Sequence, residues 1–277
     1  MRRTRALTVL IALILSLAAP PAAARESGPP PARPPAAPAE VLTQVIGDPV
    51  AVPRSNVHVF YEASVTCPAG QTPTGGGPKV SPYDNPLEMI SSYPRGNGWV
   101  VTVDGGSDVD ATLWATVICS TEPHTQVSNG PVTIAPQSEG GLSATCPAGQ
   151  YATGGGGLVD LGVVHVYESF AGGNEANDRW TYYINNPAGR PLELRPFVIC
   201  STSPHHHYWG DGTKLPFSHG TAHDLKYCPS GTVTGGGALA IGTAVYESSF
   251  WGNGWLAQAV NYSGDHPEVR ANVVCKD

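Results

Sequence analysis

Five of the nine histidines fall between positions 205 and 223, at His205, His206, His207, His219 and His223, in a segment that also carries Tyr208, Trp209 and Asp211. Imidazoles gathered in one stretch of an exported chain suit Zn²⁺ or Cu²⁺. His205, His207, His219 and His223 are therefore candidate metal ligands, and a metal-dependent enzyme built on this segment is one functional reading. Neighbouring side chains of an extended segment point to opposite sides, so three consecutive histidines do not make a ready tridentate site. A solvated polar loop accounts for the same residues. Tyr208 and Trp209, with Trp251 further along, offer flat apolar faces of the kind that sugars stack on, and Asp211 supplies a polar contact. These four form a candidate carbohydrate-binding set.

The other chemistry-bearing residues point to structure. Glu168 and Glu247 hold matching places in Tyr-Glu-Ser, but a glycosidase needs two carboxyl groups about 5–10 Å apart. Matching positions in separate units meet only near a shared axis, and the first unit has Ser91 there. The glycine runs at 75–77, 154–157 and 235–237 lack the Gly-Lys-(Ser/Thr) that opens a phosphate loop. They run instead into Pro78, Leu158 and Ala238, as glycines do where another strand or a ring approaches closely. Asp104, Asp108 and Asp110 miss the calcium-loop spacing and read as turn residues. Asn261-Tyr-Ser263 is a formal glycosylation sequon. With no Gly-x-Ser-x-Gly and no His-Glu-x-x-His, no residue is assigned as catalytic and no cofactor is expected.

The elements that must position these residues occur three times. Each unit opens with Cys-Pro-(Ala/Ser)-Gly, passes through a glycine run and a Trp, and closes on a second Cys: Cys67 to Cys119, Cys146 to Cys200, Cys228 to Cys275. The Trp stands twenty residues before the closing Cys each time, at Trp99, Trp180 and Trp255. Six cysteines in an exported chain imply three disulfides, and equivalent cysteines pair most economically within a unit: Cys67–Cys119, Cys146–Cys200 and Cys228–Cys275. The closing segments alternate with period two. Leu113, Ala115 and Val117 share a face with Cys119; Leu194, Pro196 and Val198 with Cys200; Val269, Ala271 and Val273 with Cys275. That pattern predicts strands with the disulfide facing a core, and Pro196 predicts a local break in pairing. Strands are also expected from each Trp, at 87–93, 163–170 and 243–250, and in the lead-ins at 57–65, 131–135, 142–145, 215–217 and 224–227.

Ahead of the repeats, Arg2, Arg3 and Arg5 precede an apolar run and Ala22-Ala23-Ala24, the pattern of a cleaved export leader over residues 1–24. Residues 25–40 are rich in proline and alanine and read as a tether. Removing the leader takes away three positive charges and moves the formal charge from −7 to −10. Such a chain, with no basic cluster, does not suit nucleic acid or an anionic membrane, and no later apolar run is long enough to span a bilayer. Charged residues make up 13 %, about half the usual share, while Gly 33 and Pro 27 are high, which fits a turn-rich β protein.

The Cys-Pro-Ala-Gly-Gln-Tyr-Ala-Thr-Gly stretch at Cys146, closing in Val-Ile-Cys200, resembles the repeat of the vitelline membrane outer layer protein family, although the spans between cysteines are longer here. That resemblance implies a β-prism with three sheets about a pseudo-threefold axis. The Cys-Pro-x-Gly, Thr-Gly-Gly-Gly, Trp, Cys order is also similar to repeats of many exported bacterial proteins, which implies no particular activity. The expected architecture is all-β: one domain over 41–277, made of repeats 41–121, 122–202 and 203–277, closed about a pseudo-threefold axis with one sheet and one disulfide per repeat. The expected function is that of a secreted, non-catalytic binding module for a glycan or another cell-surface component. A structural or protective role, or inhibition of a protein partner, is the alternative.

Overall fold

The computed structural model describes residues 40–83, 86–172, 177–240, 242–263 and 265–277; the expected leader, and all of the tether but Glu40, lie outside them. Among the described residues there are strands and turns and no helix, and Ala39–Asp277 forms one compact unit.

Each repeat contributes seven strands. The first has β1 (Leu42–Ile46), β2 (Val50–Val52), β3 (Phe60–Thr66), β4 (Thr72–Ser81), β5 (Glu88–Pro94), β6 (Gly98–Asp104) and β7 (Ala111–Ser120). The second has β8 (Thr125–Ser128), β9 (Val132–Ile134), β10 (Ser138–Thr145), β11 (Tyr151–Val159), β12 (His165–Gly172), β13 (Arg179–Asn186) and β14 (Leu192–Ser201). The third has β15 (His205–Trp209), β16 (Thr213–Lys214), β17 (Thr221–Tyr227), β18 (Thr232–Leu239), β19 (Ala244–Trp251), β20 (Gly254–Val260) and β21 (Glu268–Lys276). The segment at 215–217, expected as a strand, is not one. The histidine-rich segment, expected as a loop, supplies β15, whose residues 205–209 pair with β21.

The sheets do not follow the repeat boundaries, contrary to one sheet per repeat. The first runs β3-β6-β5 from repeat 1 into β11-β14-β8 of repeat 2, and the second runs β10-β13-β12 into β18-β21-β15 of repeat 3. The third set, β17-β20-β19, comes back to repeat 1: Val80 N donates to Glu247 Oε2 at 3.4 Å, and Gly77 of β4 packs on the Ser248 carbonyl of β19. Repeat 1 thus meets repeat 2, repeat 2 meets repeat 3, and repeat 3 meets repeat 1. The arrangement is consistent with a threefold prism.

The glycine runs explain how this closure fits. A methyl group on Gly75 would lie 2.6 Å from Gly235 Cα, one on Gly154 would lie 2.6 Å from Gly75 Cα, and one on Gly235 would lie 3.2 Å from Gly154 Cα, so these first glycines face one another. The threonine before each is a bulge residue, and Thr74 and Thr153 pass hydrogen bonds between repeats, Thr74 Oγ1 to Thr234 O at 2.5 Å and Thr153 Oγ1 to Thr74 O at 2.8 Å. The second glycines, Gly76, Gly155 and Gly236, lie under the fully buried rings of Trp99, Trp180 and Trp255. The third, Gly77, Gly156 and Gly237, abut the backbone of Ser248, Ser92 and Ser169 in another repeat. Those same serines accept the indole N–H of the three tryptophans: Trp99 to Ser92 at 2.9 Å, Trp180 to Ser169 at 3.1 Å, Trp255 to Ser248 at 2.9 Å. Each buried indole donor is therefore satisfied.

The three disulfides form within repeats as expected, and Leu113, Leu194 and Val269, further along the same closing strands, are fully buried. Pro196 lies where the partner of β14 changes from β8, paired at Phe197–Cys200, to β9, paired at Leu192–Leu194. A residue without an N–H fits that gap.

Candidate functional site

The strands have two ends. At one lie the disulfides and the starts of the Trp strands; at the other lie the turns between the Trp strand and the closing strand. A cleft of about 600 Å³ opens at the turn end, lined by Glu88 and the 106–109 turn of repeat 1 and by His219, Val260 and Tyr262 of repeat 3.

The turn that shapes it is built alike in all repeats. The last residue of the Trp strand, or the one just after it, accepts the backbone N–H two residues on: Asp104 Oδ1 from Gly106 at 3.0 Å, Asn186 Oδ1 from Ala188 at 3.0 Å, Asn261 Oδ1 from Ser263 at 2.8 Å. In repeats 2 and 3 the other arm is an amide that donates to carbonyls, Asn186 Nδ2 to Arg190 O at 2.9 Å and Asn261 Nδ2 to Pro216 O at 2.8 Å. Asn261 is wholly buried by this role, which leaves its sequon no free amide. Repeat 1 has a carboxylate at this position, and Asp104 Oδ2 meets His58 Nδ1 at 2.5 Å. The Asp is buried and the His is mostly exposed.

Glu88 stands opposite Asp104 on the neighbouring strand. Its Oε2 lies 3.4 Å from His165 Nδ1, a long ion pair in which both atoms are buried. Burial alone pushes the Glu88 carboxyl up, but His165, the Tyr262 hydroxyl and the nearby His58 outweigh it and hold it below the ordinary carboxylate range. Burial and then the two carboxylates Glu88 and Asp104 push the Tyr262 phenol upward, so it stays a neutral donor. The Tyr262 ring packs tilted on His165 at 5.0 Å and edge-on to His219 at 5.7 Å, while leaving a face exposed. Carboxylates, imidazoles and one phenol from three repeats thus converge, and among the described residues no Lys or Arg lines the cleft.

The expected metal set does not assemble. His205 is buried on β15 with Nδ1 on Ser203 O at 2.8 Å, and His207 contacts Asn177 Oδ1 at 2.8 Å. His219 is beside Tyr262, and His223 lies edge-on to Tyr83 at 5.3 Å. Among the described residues, no group of three His, Cys, Asp or Glu side chains is placed to hold a metal. The expected carbohydrate set is also divided. Tyr208 and Trp209 belong to β15 at the edge of the second sheet, where Trp209 packs on Phe170 at 5.0 Å, and Asp211 is exposed in the turn that follows. Trp251 projects from the β19–β20 turn, half-exposed, with the Lys79 ammonium 6.0 Å from its ring.

Of the cleft residues, His219 was singled out from sequence as a possible ligand and Asp108 as a turn residue. Glu88, His58, His165 and Tyr262 are scattered, and only the fold gathers them. Asp104 was visible as a turn residue, and the signal lay in its difference from the asparagines in the matching turns. No family model matches the chain, and no curated protein matches it in sequence.

Proposed function

We propose that the protein is an exported binding module that takes a hydroxyl-rich ligand, a glycan of a cell surface, in the turn-end cleft. Export is supported by the leader-like N-terminus and by three disulfides, which persist in oxidising compartments. The observation that carries the binding reading is the open face of Tyr262 in a cleft that also carries the exposed carboxylate of Asp108. A sugar supplies both complements, a hydroxyl donor for the carboxylate and a C–H face for the ring. With acceptors such as Glu88 and Asp108 on the walls and no Lys or Arg among the described lining residues, the cleft favours neutral or amino sugars over anionic ones.

Retention on a panel of cell-wall and capsular polysaccharides, followed by calorimetry on the best ligand, tests this. Tyr262→Ala and Glu88→Gln are each expected to weaken binding about 10-fold or more while leaving the thermal midpoint within a few degrees. No retention of the unmodified protein on any polysaccharide would remove the glycan reading and leave a structural or protein-binding role.

A further inference from the structure

The turn after Asp104 is a wall of two cavities. Ser107 and Asp108 line the cleft at the turn end and also line a second cavity of about 430 Å³, together with Arg54, Ser55 and Asn56. Backbone bonds fix the two sides of this second cavity to each other. Ser55 N donates to Ser107 O at 2.9 Å, and Arg54 N donates to Asp110 Oδ1 at 2.8 Å. The two cavities differ in chemistry. The first has the Tyr262 ring and, among the described residues, no Lys or Arg. The second has no aromatic ring and carries Arg54, an exposed side chain whose guanidinium pairs with no described carboxylate, Asp108 of the same cavity included.

The repeated frame does not call for a cation at this place. Val52 faces Ala111, Ile134 faces Leu192 and Leu215 faces Pro267, each partner standing eight residues before its closing Cys, so the three are equivalent. All three are buried. Two residues further on come Arg54, Pro136 and Phe217, three side chains with nothing in common. The connection that carries Arg54 is also the longest of its kind, 53–59 against 135–137 and 215–220. Arg54 is thus particular to repeat 1, the repeat that supplies most of the cleft's lining.

We propose that the two cavities together take one acidic oligosaccharide, with a neutral or amino sugar against Tyr262 and the carboxylate of the adjoining sugar on Arg54. A guanidinium matches a planar carboxylate through two parallel N–H bonds, and this one has no partner to give up. Both cavities fall in the range of about 300–1,000 Å³ that holds small ligands, and a chain that crosses the shared turn enters both. Asp108, on that turn, accepts hydroxyls of the sugars that cross it. The assignment rests on the glycan reading and adds a charge pattern to it. The acidic groups fall on alternate sugars, because the Glu88 carboxylate in the cleft opposes a second one there.

The test is calorimetric titration with two tetrasaccharides of equal length. One is from hyaluronan, which alternates N-acetylglucosamine with glucuronate; the other is from chitin, which has the same amino sugar and no carboxylate. The hyaluronan fragment is expected to bind about 5-fold more tightly, the scale of one exposed ion pair, and the preference should fall as salt is raised. Arg54→Gln should abolish the preference, and Tyr262→Ala should weaken both ligands. A tetragalacturonate, acidic at every sugar, should bind more weakly than the hyaluronan fragment. Equal binding of the first two, a preference that survives Arg54→Gln, tighter binding of the tetragalacturonate, or binding of neither tetrasaccharide by protein that retains another polysaccharide would overturn this inference and leave the glycan reading standing. Retention of no polysaccharide at all would overturn both.

Discussion

Glu247 shows what a single side chain does at the place where the third repeat meets the first. It is fully buried, takes Gln258 Nε2 at 2.6 Å and Ser249 Oγ at 3.0 Å, and accepts Val80 N across the junction. Burial is the dominant influence and pushes its pKa up to about 7 against these hydrogen bonds. The folded protein therefore holds this proton more tightly than the unfolded chain. Stability from this group is greatest below pH about 4.5, falls as pH rises to about 7, and is level beyond. Glu247→Gln, which mimics the protonated acid, is expected to remove that slope and to be at least as stable as wild type at pH 8, measured by urea denaturation across pH. The matching Glu168 is only partly buried, and Ser91 stands in the first repeat, accepting Val159 N at 2.9 Å. From sequence, Glu247 reads correctly as structural. Its burial could not be read there, because it depends on β4, more than 160 residues earlier.

Among the elements, the strands of the Cys-to-Cys bodies were legible, since period-two alternation and turn residues are local properties. The exchange of sheets between repeats was not, because register between repeats leaves no mark in spacing. The glycine runs carried the only hint. Sequence shows that something must approach closely there, but not that it is the facing glycines of the other repeats, an indole and a foreign strand in succession. Gly156 tests this. A methyl group there would collide with the Ser92 backbone carbonyl, which cannot swing aside as a side chain would. Gly156→Ala is expected to cost about 3 kcal/mol or more, at the top of the overpacking range. Gly149→Ala, where nothing lies within 4 Å but φ is +78 to +80 at the two turn glycines Gly70 and Gly149, is expected to cost only about 1 kcal/mol. Denaturant midpoints of the two variants settle the comparison.

At the scale of the molecule, cyclic contact makes the repeats interdependent. Alone, residues 41–121 would expose the outer edge of β5, which pairs with β11, and the flank of β4, which packs on β19. Unpaired edges invite aggregation, and a repeat of about eighty residues buries little core of its own. The isolated first repeat is expected to show no cooperative thermal transition even with its disulfide formed, where the full chain shows one, by circular dichroism. The binding set drawn from sequence lies on separate elements for a related reason. Aromatics close together along the chain were assigned to a common face, whereas the turn-end cleft draws on repeats 1 and 3, which are neighbours only because the circle closes.

Glu40 and Lys276 touch at the disulfide end, so the body receives its first described strand and finishes its last one on the same side. The cleft lies on the other. A surface coupled to the exposed Asp277 would therefore cover the disulfide end and leave Tyr262 and Glu88 open.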